Sequence, residues 1–192
     1  SGDIIQANEI TEIHQKLDLW TGMIESEFCV DGSQVTVRTA CHSEDDAVAV
    51  QVTSTLVMEQ RIQVFIHFPA PDITHNSWSK ATHPDWNQDD RHQTFYTTIT
   101  DKAGLLTRKM DEDQYFVRWD WSNGVVEQTA AHEYTLISDG STNCIKCTVV
   151  FAPKEPSAVT PEDVFESSCS YWETFWQTGA AIDFSESPDP RA

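Results

Sequence analysis

The residues best suited to chemistry lie in one long polar stretch, residues 72–93. It contains histidines and aspartates, which are common ligands of transition metals. The histidines are His75, His83 and His92, and the aspartates near them are Asp85, Asp89 and Asp90. The histidines follow one another after eight and nine residues, and these spacings match no compact zinc motif. We therefore interpret the stretch as a hydrogen-bonded surface loop and predict no metal site.

The same stretch carries two tryptophans, Trp78 and Trp86, among polar neighbours. An apolar ring face beside hydrogen-bonding groups suits a sugar ring, so a carbohydrate is one candidate ligand. The alternative is that both rings tuck into the edge of the fold and anchor the loop. The candidate substrate-binding residues are Trp78, Asp85, Trp86, Arg91 and His92.

No catalytic residue stands out. The 31 acidic residues are too many for any one pair to be recognised as the general acid and base of a glycoside hydrolase. No Gly-x-Ser-x-Gly elbow is present to mark a serine nucleophile. We assign no catalytic residue, and we expect no cofactor and no catalysis by this chain alone.

The five cysteines form no recognisable site. Cys144 and Cys147 have CxxC spacing, but they lie in an alternating pattern typical of a strand. Residues three apart in a strand point to opposite faces, which suits neither a shared metal nor a redox pair. We expect all five to be mostly buried, small apolar residues; the others are Cys29, Cys41 and Cys169.

The charge of the chain excludes some partners. A net charge of −19 repels phosphate backbones and anionic membrane surfaces, so we expect neither a nucleic acid nor a membrane as partner. The sequence has no apolar run of about 18 residues, as a membrane-spanning helix requires. A secretory leader pattern and an Asn-x-Ser/Thr sequon are also absent, which leaves secreted and cytoplasmic locations open.

Short alternating segments joined by turns precede residue 158. About nine such strands can be recognised from residue 17 onward, and residues 1–16 are interpreted as a lead-in or a loose edge. Asp31-Gly32 predicts a tight hairpin, and acidic turns are expected at 44–46 and 111–113. The pattern predicts a mainly β fold, an antiparallel, supersandwich-like β-sandwich over residues 1–157. The sandwich core is expected to include Trp20, Trp119 and Trp121.

Residues 158–192 are predicted to be a helical linker and tail. Thr160 is a suitable N-cap before Pro161, and Gly179 suits the C-terminal cap, so we predict a helix over 161–178. An apolar stripe along it is expected to pack on a sheet. The stripe consists of Phe165, Cys169, Trp172 and Trp176. For Trp172, Phe175 and Trp176, packing against a neighbouring domain is predicted as well.

Several segments together resemble the N-terminal region of six-hairpin glycosidases, the (α/α)6-barrel enzymes similar in layout to glycoside hydrolase families 65, 15 and 95. The segments are 17–22, 41–42 with 46–50, 68–69, 85–86 with 91–92, 171–183 and 189–191. The Trp-x-x-Phe-Trp motif at 172–176 is the most specific of them. In that family a large β-sandwich comes first, a helical linker follows, and the barrel carries the catalytic carboxylates.

The resemblance implies that this chain is the non-catalytic sandwich of a carbohydrate-active hydrolase. It would brace an (α/α)6 catalytic domain outside this chain, or a second chain, and lend residues 72–93 to the rim of the active site. The alternative is a freestanding carbohydrate-binding module that uses exposed tryptophans. A sandwich that only mediates protein assembly has the same sequence signals, because an interdomain face and a dimer face look alike.

Overall fold

A computed structural model describes residues 5–70 and 84–180, together with 182, 184, 186, 188 and 189. The strands are β1 (Ile10–Asp18), β2 (Met23–Val30), β3 (Ser33–Cys41), β4 (Ala47–Thr53), β5 (Gln63–His67), β6 (Gln93–Thr100), β7 (Ala103–Met110), β8 (Asp113–Trp121), β9 (Val125–Ala130), β10 (Glu133–Ile137) and β11 (Cys144–Ala152). The helices are α1 (Thr55–Met58) and α2 (Pro161–Phe175). Short 3-10 turns occur at Ala7–Glu9 and Asp89–Arg91.

The strands form two antiparallel sheets. The large sheet has eight strands in the order β1-β2-β3-β4-β11-β8-β7-β6, and the small sheet has three in the order β5-β10-β9. The pairing is irregular at both ends of the large sheet, with register shifts between Thr11 and His14 in β1 and between Thr98 and Thr100 in β6. The predicted mainly β, antiparallel sandwich with one C-terminal helix is confirmed.

The predicted hairpin turn is also confirmed. Asp31 and Gly32 both have positive φ angles, 49° and 75°, and they connect β2 directly to β3. Two positive φ angles in a two-residue loop match the right-handed twist of the flanking strands. The acidic stretch at 44–46 lies in a bend between strands. In the predicted turn at 111–113, Asp111 and Glu112 form the turn, whereas Asp113 is the first residue of β8.

The core between the two sheets is built from large side chains. Trp119 and Leu106 of the large sheet are completely buried, and so is Leu136 of the small sheet. Tyr96 and Tyr134 stack across the interface with ring centroids 5.5 Å apart. The prediction for Trp119 and Trp121 is confirmed, but Trp20 lies in the β1–β2 turn with 56% of its surface exposed.

A second, smaller core lies on the opposite face of the large sheet, beneath α2. Its sheet side consists of Ala40, Ala47, Ala49 and Val150, and Val164 is its fully buried contribution from the helix. Ala40 and Ala49 are register partners in β3 and β4. Because alanine projects so little from the sheet, the helix axis can approach the strands closely.

The terminal helix begins as predicted, but its buried face is different. The Thr160 hydroxyl accepts a hydrogen bond from the backbone N–H of Asp163, with Pro161 in the first turn. The α-helical part ends at Phe175, a π-helical turn covers Trp176–Ala180, and Gly179 has a φ of 98°. The fully buried residues are Val164 and Ser168, whereas the predicted stripe of Phe165, Cys169, Trp172 and Trp176 is only half-buried.

The prediction of mostly buried cysteines is correct for one of five. Cys147 is buried, and this burial raises the pKa of its thiol to about 11. Cys29, Cys144 and Cys169 are half-buried and Cys41 is exposed. All five thiols are free. In the described part of the chain no helix has both the length and the apolar character that a membrane span requires.

Candidate functional site

The first candidate site is a group of exposed and half-buried apolar side chains, mostly aromatic, at the C-terminal end of α2. This aromatic face consists of Leu19, Trp20, Tyr171, Trp172, Phe175 and Trp176. The turn between β1 and β2 contributes the first two residues and the last two turns of the helix contribute the others. Trp20 is 56% exposed and Tyr171 47% exposed, which is unusual for side chains of this size.

The aromatic rings contact one another. Phe175 meets Trp176 edge-on with centroids 5.0 Å apart, and Trp172 stacks on Trp176 at 6.2 Å. Trp20 approaches Trp176 from the turn, at 6.3 Å. The result is a continuous layer of rings with one side toward solvent.

Two hydrogen bonds fix this layer to the turn that precedes β2. The Ser168 hydroxyl donates to the Thr21 carbonyl at 2.8 Å, and the Trp176 indole N–H donates to the Leu19 carbonyl. Gly22 makes the close approach possible, because a Cβ atom there would lie 2.2 Å from the Trp172 ring. A cavity of about 230 Å³ lies beside this contact, between Trp172 and the apolar residues of β1 and β2.

Apolar residues continue beyond the helix. Ile182 is 76% exposed and Phe184 58% exposed. The predicted interdomain residues Trp172, Phe175 and Trp176 therefore lie together on one face that also includes Trp20. Sequence reasoning assigned Trp20 to the core, because the alternation around it resembles a strand, although the residue follows the end of β1.

The second candidate site is the end of the polar stretch, residues 84–93. The other predicted residues of this stretch, His75, Trp78 and His83, fall outside the described residues. Trp86 is 46% exposed, and its ring packs against His67 with centroids 4.7 Å apart. Asp85 is half-buried, forms a β-bridge with Ala70, and accepts a hydrogen bond from the Asn87 backbone at 3.1 Å. Arg91 is half-buried in the 3-10 turn.

His92 lies beneath this surface, with only 4% of its area exposed. Its ring lies against that of His132, with centroids 3.8 Å apart and the planes tilted by 30°. The Nδ1 atom is buried, and no hydrogen-bond partner is found for it among the described residues. Burial, with smaller effects of the Arg108 and His132 charges, lowers the pKa of His92 to about 4. The ring is therefore neutral at pH 7. Sequence spacing gave no reason to connect it with His132, which is forty residues away.

A larger cavity, about 820 Å³, lies elsewhere, between the ends of β8 and β11 and the start of α2. Four of its charged groups form two ion pairs: Arg118 bonds Asp120, and Lys146 bonds Glu162. The Lys146 ammonium lowers the pKa of Glu162. Two further charged residues line the groove. Lys102 donates to the Gly124 carbonyl, and hydrogen bonds from Ser141 lower the pKa of Asp139.

No protein-family model matches the chain, and no curated protein sequence matches it. Among solved structures, the chain is similar to part of a putative kojibiose phosphorylase from the human microbiome, with a TM-score of 0.47 and 10% identity over 86% of this chain. It is also similar to part of the family GH92 α-mannosidase from Bacteroides thetaiotaomicron, with a TM-score of 0.30 and 8% identity over 90% of this chain. The chain spans only 23% and 25% of those two proteins.

Proposed function

We propose that this chain is the β-sandwich and linker part of a carbohydrate-active hydrolase, and that it braces an (α/α)6 catalytic domain outside this chain. The observation that carries the proposal is the aromatic face. It is fixed to the sandwich on one side and is open on the other, at the end of α2 where the chain leaves the sandwich. On this proposal residues 1–157 form the sandwich domain and residues 158–192 connect it to the catalytic domain.

Energetics favour a covered aromatic face. Large exposed apolar patches are uncommon on monomeric soluble proteins and usually mark an interaction surface. Burying a large aromatic side chain contributes about 2 kcal/mol, and several such side chains lie here side by side. A covalently attached domain covers such a face without the entropic cost of bringing two separate molecules together.

The gene provides the most direct test. The proposal expects the native message to continue past Ala192 into a domain of paired helices with acidic residues placed for glycoside hydrolysis. A stop codon directly after that position would contradict the bracing role. The alternative of a protein-assembly sandwich would then be favoured.

Variants of the full-length protein test the face itself. Phe175→Ser removes an apolar contact at the centre of the face, and we expect a lower melting temperature of the catalytic domain and reduced hydrolysis. Phe65→Ser is the matched control, because Phe65 is 64% exposed on the small sheet, away from α2. Equal effects of the two substitutions would show that the face has no special role.

A second candidate function is carbohydrate binding through Trp86, either at the rim of the catalytic domain or in a freestanding module. The exposed ring of Trp86, supported from behind by His67, favours it. Binding of the chain to a glycan array, lost in Trp86→Ala and retained in Phe65→Ala, would support this function. Absence of any glycan binding would remove the freestanding module from consideration.

A further inference from the structure

The structure assigns a site for a divalent transition metal, zinc in the first place, to Asp89, His92 and His132. One ligand atom from each of these side chains lies within 4.8 Å of the other two. Two ligands bonded to the same tetrahedral zinc at about 2.1 Å are about 3.4 Å apart, so a movement of roughly 1 Å would complete the site. The proposal is independent of the proposed function.

The fold brings the three residues together from two places in the chain. Asp89 lies in the 3-10 turn before β6, and His92 directly precedes that strand. His132 lies in the turn between β9 and β10, with a φ of 58°. Positive φ is uncommon for a histidine, and it places this residue against the start of β6. The cluster therefore joins the large sheet to the small one.

His92 provides the strongest indication of a ligand. Buried polar atoms in native proteins nearly always have a hydrogen-bond partner, yet none is found for its Nδ1 atom in the described part of the chain. Only 4% of the surface of His92 is exposed, so the residue is 96% buried. A metal ion bonded to one ring nitrogen would make this burial favourable, because imidazole is a good ligand for zinc, copper and nickel.

His132 is already held in position. Its Nδ1 atom lies 2.8 Å from the Thr94 hydroxyl, and its Nε2 atom lies 2.8 Å from the Asp89 carbonyl oxygen. A carbonyl oxygen only accepts, so Nε2 carries the ring proton in this arrangement. Binding of a metal therefore requires the other tautomer, in which Nδ1 donates to Thr94 and Nε2 exchanges the Asp89 carbonyl for the metal. Protein sites commonly orient a ligating histidine through a hydrogen bond to its other nitrogen.

The ligand types and the charges of the cluster fit zinc better than calcium or magnesium. Asp89 is exposed, so its carboxylate can move and ions can enter from solvent. The positive charge of Arg108, which is close enough to lower the pKa of His92, opposes any cation. Calcium and magnesium prefer several oxygen ligands, whereas this cluster offers two imidazoles and one carboxylate. We therefore expect selectivity for zinc over calcium and magnesium.

Metal titration of the whole chain tests the assignment. We expect one saturable Zn²⁺ site by calorimetry, a rise in melting temperature on adding Zn²⁺, and no such rise with Mg²⁺ or Ca²⁺. Co²⁺ reports on ligand type, because binding at this site gives a visible spectrum without the thiolate charge-transfer band that binding to the exposed Cys41 would produce.

Variants locate the site. His132→Gln and Asp89→Asn are each expected to weaken Zn²⁺ binding at least tenfold, while His14→Gln, on the exposed edge strand, leaves it unchanged. Asp89 is exposed, so its variant is expected to fold even where changes at His92 prevent folding. The assignment is wrong if wild type binds no Zn²⁺ at millimolar concentration, or if Asp89→Asn and His132→Gln bind it as wild type does.

Discussion

The two faces of the large sheet are packed in opposite ways. On one face, large side chains such as Trp119 and Leu106 fill the space beneath the small sheet. On the other face, Ala40 and Ala49 let α2 lie close to the strands. The first core is closed on both sides, whereas the second covers only the start of the helix and leaves its aromatic end exposed.

This difference shows what each face contributes. The sandwich core supplies most of the buried apolar surface, so it determines the stability of the chain. The alanine layer, made of Ala40, Ala47 and Ala49, buries little apolar surface. It determines where α2 lies and therefore where the aromatic face points. Substitutions in the sandwich core and in the alanine layer should therefore differ in how much they lower the free energy of unfolding and in which part of the structure they disturb.

The largest effect is expected for Trp119→Ala. The side chain is completely buried, and its removal leaves a cavity between β7, β8 and β11. Substitutions of this kind cost about 3–5 kcal/mol. Urea denaturation would measure this loss, and a change below about 1 kcal/mol would show that the sandwich core is not as closed as described.

Ala49→Leu tests the alanine layer by adding volume, whereas Trp119→Ala removes volume from the sandwich core. Ala49 is completely buried beneath α2, so three additional carbon atoms must displace the helix. Overpacking typically costs about 1–3 kcal/mol, and the upper end is expected here because the backbones are close. Ala152→Leu, at the half-buried end of β11, is the control and should change the free energy of unfolding much less.

Gly22→Ala separates close packing from backbone strain. Gly22 has a φ of 65° and lies against the Trp172 ring, whereas Gly32 has a φ of 75° with open space around it. The left-handed conformation costs an alanine about 1–2 kcal/mol at either position. We expect the loss at Gly22 to exceed that of Gly32→Ala by about 1 kcal/mol in denaturation experiments, because Trp172 must also move.

Trp172→Ala is expected to have the smallest effect on the isolated chain, about 1–2 kcal/mol, because the ring is only half-buried. A loss of 3 kcal/mol or more would show that the aromatic end of α2 belongs to the core. In the full-length protein the same substitution should cost more, since the proposed catalytic domain buries the remaining surface.

The sequence was most informative where one side of an element is apolar and the other polar. Alternation predicts β4, β8 and β11, and the capping residues around Thr160 predict the start of α2. The strands β1 and β9 have few buried residues, so they carry little alternation. The sequence therefore predicts only a lead-in or a loose edge for residues 1–16, and it does not predict β9. The prediction of Trp20 as a core residue has a related cause. The sequence around a tryptophan in a turn resembles the sequence around a tryptophan at the end of a strand.

The remaining differences depend on tertiary packing. The aromatic residues of α2 dominate its apolar pattern, yet Val164 and Ser168 are its fully buried residues, and Phe165 packs only partly buried against the same core. In the same way, His132 lies next to His92 only because the β9–β10 turn packs against the start of β6. Neither arrangement leaves a periodic signal in the sequence.

The irregular ends of the large sheet restrict how this protein can associate. An exposed, straight edge strand invites another copy to add its own strand, which leads to aggregation. The shift between Thr11 and His14, with a φ of 52° at Glu12, bends β1, and the shift between Thr98 and Thr100 does the same for β6. Both edges are therefore poor templates for strand addition, so association through side chains is favoured over continuation of the sheet.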